Sequence, residues 1–269
     1  MDPITSRLFR HSGRQGSLAV MYHSVTPGTD TPVWPYAVSM KNFCAQLDLL
    51  QREGWKTYGI AELATRPLPV RSVVITFDDG YRDNFPAFEE LARRGMTASW
   101  FIVSRDIGAQ TRWRDAGTVQ AALLDAVQLR EMHAAGMEIG AHGHTHKRLT
   151  ECDDGAVIEE LTLSKKTLED VIQAPVTTLA YPYGEYDVRV LREARAAGYV
   201  AGCTTRTGWA MGENDAFLIR RLSIYAQDSL GSFARKLAFA DNEGSWGRLL
   251  RYAQRRTLDR LTRALGSAR

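Results

Sequence analysis

The sequence is poor in cysteine, and it lacks long apolar runs. Its 269 residues include three cysteines, Cys44, Cys152 and Cys203, which lie far apart and form no CxxC pair. This spacing argues against a disulfide framework or a cysteine zinc site and favours a reducing compartment. The first apolar run, Leu18–Tyr22, is too short for a signal-peptide core, and no stretch approaches the roughly 20 apolar residues of a membrane-spanning helix. With Met1 as the true start, we expect a cytoplasmic protein.

Charge is unevenly distributed along the chain. The net charge is +3, but residues 245–269 hold seven arginines and one acid, so this tail carries +6 and the rest carries −3. The negative balance of the body gives no indication of nucleic-acid binding. In the tail, apolar residues recur from Trp246 at intervals of three and four, which predicts a basic amphipathic helix. We expect this helix either to contact an anionic membrane at its inner face or to pack on the body.

Short apolar runs alternate with amphipathic helical patterns, and there is no internal repeat. The runs that predict strands are residues 18–22, 72–77, 97–103, 137–141, 176–181, 199–204 and 217–224. Strand and helix in alternation predict an α/β fold with a mainly parallel sheet, either open or closed into a barrel. We divide the chain into an N-terminal extension (1–17), this α/β domain (18–240) and the basic amphipathic C-terminal helix (241–269).

Polar residues follow several of the predicted strands at the point where each strand ends. Asp78 and Asp79 come directly after a strongly apolar strand and precede Gly80. An Asp-Gly pair by itself is typical of a turn. Two adjacent carboxylates at a strand end point in different directions, however, so one can bind a metal while the other acts as a base. The C-terminal strand ends of a barrel carry its active site, which favours the second interpretation.

Half of the six histidines lie in one segment, at His142, His144 and His146. Neutral imidazole is a common zinc ligand. On a helical turn His142 and His146 share a face and need a carboxylate, whereas on an extended strand all three histidines share a face. Gly140 and Gly143 argue against a long strand, so we favour His142, His146 and one aspartate. The alternative is a surface loop with solvated histidines.

Three of these segments resemble the motifs of the polysaccharide deacetylase family, also known as the NodB-homology domain or carbohydrate esterase family 4. Residues 76–80 (TFDDG) match the first motif. Residues 142–146 (HGHTH) are similar to the His-x-x-x-His pair of the second, although Gly143 replaces its usual Ser or Thr, and residues 181–184 (YPYG) are similar to the third. The resemblance covers roughly residues 18–225 and looks like the branch that has Tyr-His near its start and Tyr-Pro-Tyr-Gly in its third motif.

The resemblance implies a distorted (β/α) barrel of about seven parallel strands and a metal-dependent hydrolase. By similarity, Asp78 is the catalytic base, and Asp79, His142 and His146 hold a divalent metal. Zn²⁺ is the expected ion, although Co²⁺, Ni²⁺ or Mn²⁺ also suits such ligands. The metal activates a water, Asp78 removes its proton, and the backbone N–H of Tyr183 donates to the oxyanion. The implied substrate is an acetylated amino sugar in a polysaccharide or a lipid-linked glycan.

Two usual family residues are not in their places. No histidine follows His146 to protonate the leaving amine, so we expect His23 in that role, with His144 as a second candidate. Position 180 is alanine where the family has an arginine that orients the base. We expect Arg206 to replace that arginine, with Arg220 and Arg221 as alternatives.

Other functions remain open at this point. The same metal site suits O-deacetylation or another amide or imide hydrolysis, and a decayed barrel would serve as a non-catalytic glycan-binding module. An intact set of metal ligands argues against the binding module. Four aromatic residues are candidates for stacking on sugar rings, although isolated aromatic residues more often belong to a core: Trp34, Tyr36, Trp113 and Trp209.

Overall fold

The computed structural model of the chain describes residues 1–13, 15–113 and 120–247. Its strands are β1 (Leu18–Tyr22), β2 (Ser24–Thr26), β3 (Ala37–Ser39), β4 (Lys56–Tyr58), β5 (Ser72–Phe77), β6 (Ser99–Ile102), β7 (Glu138–Ala141), β8 (Thr178–Ala180), β9 (Ala201–Cys203) and β10 (Leu222–Ser223). Its helices are α1 (Pro3–Arg10), α2 (Met40–Arg52), α3 (Ile60–Thr65), α4 (Phe85–Arg93), α5 (Ala126–Ala134), α6 (Asp154–Ile172), α7 (Val188–Ala196) and α8 (Leu230–Phe239). Within these ranges, no helix combines the length and apolarity needed to cross a bilayer.

The main sheet is parallel throughout and curls into a barrel. Its strands follow the order β10-β1-β5-β6-β7-β8-β9, and β4 pairs with the first half of β5 before β6 takes over that edge. A parallel bridge between Cys203 and Ile219 joins β9 to the segment leading into β10, which brings the two edges of the sheet together. This confirms the predicted distorted (β/α) barrel with about seven parallel strands.

Strand β5 shows how the sheet separates two apolar cores. All six of its residues are buried, as expected for a strand covered on both faces. Val73, Ile75 and Phe77 belong to the large core under the helices, whereas Val74 belongs to a smaller cluster in the barrel interior. This alternation follows from the two-residue repeat of an extended strand.

Helix α3 closes the N-terminal end of the barrel. Its Ile60 and Leu63 side chains join the interior cluster. The N–H of Ile60 donates to Ser99 Oγ at 3.0 Å, and the N–H of Ala61 donates to the Glu138 carboxylate at 3.3 Å. Ser99 and Glu138 begin β6 and β7, so α3 covers the end of the barrel opposite to Asp78 and His142.

The N-terminal extension contains a helix that the sequence patterns did not predict. Helix α1 packs against α8, where Arg235 donates to Thr5 Oγ1 at 3.0 Å. Phe9 of α1 stacks on Trp55 with the ring centroids 5.5 Å apart. The predicted basic helix of residues 241–269 lies, from residue 248 onward, outside the described residues.

Candidate active site

A cavity of about 680 Å³ opens at the C-terminal ends of the barrel strands. Side chains that follow β1, β5, β7 and β8 line it together. The predicted site residues in its wall are His23, Asp78, Asp79, His142, His146 and Tyr183. Parallel strands end at the same edge of a sheet, so residues far apart in sequence meet there.

Asp79, His142 and His146 converge in this cavity and are all buried. The Nε2 atoms of His142 and His146 lie 3.3 and 3.4 Å from Asp79 Oδ1. One ligand atom from each residue lies within 4.8 Å of the other two, a spacing that suits a shared metal ion. His144 points elsewhere, with its Nδ1 2.9 Å from Ser104 Oγ. The structure therefore assembles the arrangement of two histidines and one carboxylate.

The two histidine rings are oriented by different means. His142 Nδ1 lies 2.8 Å from the Ala180 carbonyl. A carbonyl only accepts, so Nδ1 carries the proton and the Nε2 lone pair faces Asp79. The His146 ring is flanked by Trp113 and Tyr183, each with its centroid 4.7 Å away. Among the described residues, no group hydrogen-bonds His146 Nδ1, so ring packing orients this histidine.

Glu160 holds the loop between the two histidines, although the sequence did not single it out. Its Oε2 accepts the N–H groups of His144 and Thr145, both at 2.8 Å, and its Oε1 accepts the Thr145 hydroxyl. Glu160 is buried on the apolar face of α6, one helical turn from Val157. The sequence signal for Glu160 was a carboxylate on the mainly apolar face of α6.

The backbone is left-handed at three non-glycine residues of the site. Asp79, His146 and Tyr183 have φ values of 71°, 61° and 61°. This region is disfavoured for residues with a Cβ, and such strain tends to collect at functional sites, where the surroundings enforce it. Gly143 also has a positive φ of 71°, a conformation that glycine adopts without strain.

Asp78 forms a bidentate ion pair with Arg221. The two guanidinium nitrogens lie 2.6 and 2.8 Å from its carboxylate oxygens, and the Arg221 side chain is completely buried. Arg221 also donates to the Thr204 carbonyl at 3.0 Å and to Thr76 Oγ1 at 3.1 Å. These contacts fix the guanidinium plane against the Asp78 carboxylate.

The expectation that Arg206 lies behind Asp78 is wrong. Arg206 donates to the Tyr186 hydroxyl at 2.9 Å and pairs with Glu213, and about half of its side chain is exposed. Its backbone carbonyl accepts the N–H of Arg221. Residues 206 and 221 are therefore hydrogen-bonded neighbours in the segments that follow β9 and precede β10, and of the two only Arg221 reaches Asp78. The sequence pattern alone does not show which of these two segments carries the arginine that pairs with the base.

Burial and the neighbouring side chains have opposite effects on the pKa values of Asp78 and Asp79. Burial raises the pKa of Asp78, but the Arg221 guanidinium outweighs it and holds that pKa below its ordinary value. Burial also raises the pKa of Asp79, but the adjacent His142 and His146 rings outweigh it and hold that pKa well below the ordinary range. Both residues are therefore carboxylates at neutral pH.

His23 follows β1 and lines the same cavity. Its ring lies 5.0 Å from Tyr36 and 6.3 Å from Trp34, centroid to centroid. Its Nδ1 is buried and has no hydrogen-bond partner among the described residues. Burial lowers the pKa of His23 below its ordinary value, and the attraction of Asp79 and Asp78 for a proton there does not fully offset it.

Comparisons with known proteins agree on one family. The profile described as Polysaccharide deacetylase matches residues 65–202. YxkH of Bacillus subtilis (strain 168), named for that family, is 28% identical over 211 residues, covering 76% of this chain and 70% of YxkH. The poly-beta-1,6-N-acetyl-D-glucosamine N-deacetylase of Staphylococcus aureus (strain MSSA476) is 24% identical over 206 residues, covering 70% of this chain and 68% of its own length.

Solved structures agree with the fold. IcaB from Ammonifex degensii superposes with a TM-score of 0.70 at 23% identity, covering 84% of this chain and 97% of IcaB. The deacetylase PplD of Streptococcus pyogenes, solved in complex with acetate, superposes with a TM-score of 0.67 at 24% identity, covering 80% of this chain and 95% of PplD. Since the matched profile spans half of the sequence, the chain belongs to the polysaccharide deacetylase family.

Proposed function

We propose that this protein is a metal-dependent hydrolase that removes N-acetyl groups from amino sugars of a polysaccharide or a lipid-linked glycan. The observation that carries the proposal is the buried set of Asp79, His142 and His146 beside the Asp78–Arg221 pair. The relatives support the substrate class, because one of them is named for N-deacetylation of poly-beta-1,6-N-acetyl-D-glucosamine.

The three ligand residues fit a divalent cation. His142 Nε2 is left as a lone-pair donor by the hydrogen bond at Nδ1, and Asp79 is held as a carboxylate. Two imidazoles and one carboxylate suit Zn²⁺, and they also accept Co²⁺, Ni²⁺ or Mn²⁺. A divalent cation bound there supplies Lewis acidity to a water molecule and to the acyl oxygen of the substrate.

Asp78 acts as the general base in this proposal. Its lowered pKa keeps it ionised at neutral pH, ready to take the proton of the attacking water. Arg221 donates a hydrogen bond to each carboxylate oxygen of Asp78. These bonds fix the plane of the carboxylate and stabilise its negative charge in a buried position. Arg221 is thus a positioning residue for Asp78.

Tyr183 and His23 complete the proposed mechanism. Tyr183 lies in the cavity wall next to His146, and we assign its backbone N–H to the developing oxyanion. His23 lies in the same wall, and we assign it the delivery of a proton to the leaving amine. The lowered pKa of His23 means that the ring is neutral at rest, so in this proposal the proton that Asp78 takes from the water passes to the His23 ring before the amine leaves.

Acetate release together with metal analysis tests the proposal. The purified protein is expected to contain one divalent metal per chain and to release acetate from N-acetylglucosamine oligomers. Asp79→Ala should lose the metal, whereas Asp78→Asn should keep it and lose turnover by about a hundredfold or more. Release from an acetylated ester alone would favour O-deacetylation, and bound metal without any release would favour a glycan-binding module.

We also propose where the protein acts, on the basis of the basic sequence at its C-terminus. Seven arginines between apolar residues in 245–269 support contact with an anionic membrane at its cytoplasmic face, where a lipid-linked sugar would be reached. Flotation with anionic liposomes should carry the full chain upward and leave behind a variant with the seven arginines replaced by glutamine. Equal flotation of both chains would contradict this part.

A further inference from the structure

Arg148 lies across the Tyr183 ring at the edge of the cavity. Its guanidinium carbon is 3.8 Å from the ring centroid, and both residues line the cavity. The Tyr183 ring also contacts the His146 ring, with the centroids 4.7 Å apart. Arg148 therefore touches the turn that carries the proposed oxyanion donor, although no step of the proposed mechanism uses this arginine.

An acidic residue of the same turn holds the Arg148 side chain in this position. The Arg148 guanidinium forms an ion pair with the Glu185 carboxylate, and the Thr150 hydroxyl donates to the second oxygen of that carboxylate at 3.3 Å. Arg148 thus contacts the turn at two points, through the Tyr183 ring and through the Glu185 carboxylate. These contacts join the segment after the histidine loop to the turn that follows β8.

The Tyr183 backbone needs a restraint from outside the turn, because it is left-handed without being glycine. Its φ and ψ are 61° and 1°, in a region that is disfavoured for residues with a Cβ. Thr205 Oγ1 donates to the Tyr183 carbonyl at 3.4 Å, and a Cβ at Gly184 would overlap the same Oγ1. Thr205 therefore restrains the carbonyl of Tyr183, and Arg148 restrains its ring.

The charge of Arg148 is balanced within the protein. Glu185 neutralises it, and the guanidinium is attracted to the face of the Tyr183 ring. This arrangement favours a role in holding the turn over the capture of an anionic ligand from solution.

We propose that Arg148 is a positioning residue that holds the backbone N–H of Tyr183 in the orientation that the oxyanion requires. A donor that is fixed before the reaction costs no reorganisation when charge develops on the acyl oxygen. Loss of the guanidinium would release the Tyr183 ring, and the strained backbone would relax and turn its N–H away. This inference rests on the proposed N-deacetylase function.

Steady-state kinetics separate this role from direct contact with the sugar. Acetate release is measured with a β-1,6-linked N-acetylglucosamine tetramer. Arg148→Ala should lower kcat by roughly tenfold with KM unchanged, less than the hundredfold or more that removal of an oxyanion donor costs. Arg148→Lys keeps a cation near the ring and should recover part of the loss.

Arg66→Ala is the matched control. Arg66 lies 5.5 Å from the Tyr58 ring centroid and pairs with Glu62 at 2.5 Å, and these three residues do not line the cavity. The control removes the same kind of contact at a distance from the site, so it should match the wild type in kcat and KM.

A more reactive acyl group tests the oxyanion directly. The fluorines of an N-trifluoroacetyl group withdraw electrons and stabilise the oxyanion themselves, so hydrolysis depends less on the Tyr183 N–H. The same tetramer carrying N-trifluoroacetyl groups should therefore show a smaller loss of kcat in Arg148→Ala. A defect in folding or in metal binding would lower both rates by the same factor.

Hydrogen exchange and metal analysis give readouts that need no turnover. In Arg148→Ala the peptide of residues 181–186 should exchange its amide hydrogens faster than in the wild type, while exchange over residues 72–80 and the metal content stay unchanged. A higher KM at constant kcat, equal losses on both acyl groups, or unchanged exchange over residues 181–186 would overturn the proposal. Loss of the metal from Arg148→Ala would overturn it as well.

The exchange measurement also separates this inference from the proposed function. If the wild type hydrolyses neither tetramer, the proposed function fails, and the positioning role is then decided by exchange alone. Faster exchange over residues 181–186 in Arg148→Ala supports it, and unchanged exchange overturns it.

Discussion

Arg221→Met is the change with the largest effect expected on both stability and chemistry. It removes a completely buried guanidinium and leaves the buried Asp78 carboxylate without its bidentate partner. Methionine fills much of the same volume, so the main loss is the charge. Removing one member of a buried ion pair destabilises a protein by about 3–5 kcal/mol.

The pH dependence of the variant follows from the same pair. In the wild type the pKa of Asp78 is lowered, so its contribution to stability is present above the unfolded pKa and is lost as the pH falls through the folded one. Without Arg221, burial raises that pKa. The acidic limb of kcat/KM should then move to higher pH by about one to three pH units, and the variant should become more stable as the pH falls.

Urea unfolding and pH–rate profiles measure both effects. Arg206→Met is the matched control, since that arginine is half-exposed and its loss should leave the stability nearly unchanged. The double variant Arg221→Met with Asp78→Asn removes the buried charge and should recover most of the lost stability without recovering turnover. An unchanged urea midpoint and an unchanged acidic limb in Arg221→Met would refute the reasoning.

Three further predictions concern the rest of the site. His23→Ala should lower turnover by about a hundredfold while the metal stays bound, and unchanged turnover would remove His23 from the mechanism. Glu160→Gln should weaken metal binding by about tenfold in a chelator competition, because an amide replaces the acceptor of the His144 and Thr145 N–H groups; unaltered affinity would contradict this. Metal affinity should fall with falling pH, because Asp78 and Asp79 outweigh burial and raise the pKa of His142, so that a proton competes for its ring; a flat profile would argue against His142 as a ligand.

The seven barrel strands could be predicted from the sequence because each is a short, mainly apolar run, and their residues are almost all buried. Asp78, Asp79, His142 and His146 could be predicted because they follow those runs directly. The short β2, β3 and β4 gave no comparable pattern, since three residues are too few to show a period.

What the sequence could not show depends on contacts between distant elements. Arg221 lies 143 residues from Asp78, and nothing local distinguishes it from Arg220 or Arg206. Glu160 lies on the apolar stripe of α6, but its partners, the N–H groups of His144 and Thr145, become evident only once the histidine loop packs against that helix.

The closure of the barrel has a consequence for how the protein can be divided. The family profile ends at residue 202 and begins at residue 65, so it contains the metal ligands and the base but neither His23 nor Arg221. His23 directly follows β1 and Arg221 directly precedes β10, and these two strands are neighbours in the sheet. A fragment trimmed to the profile would lack β1, β4 and β10 and would end within β9, so the edge of β5 that pairs with β1 would be left open, which invites aggregation. Such a fragment would keep the three metal ligands yet lack Arg221, the ion-pair partner of Asp78.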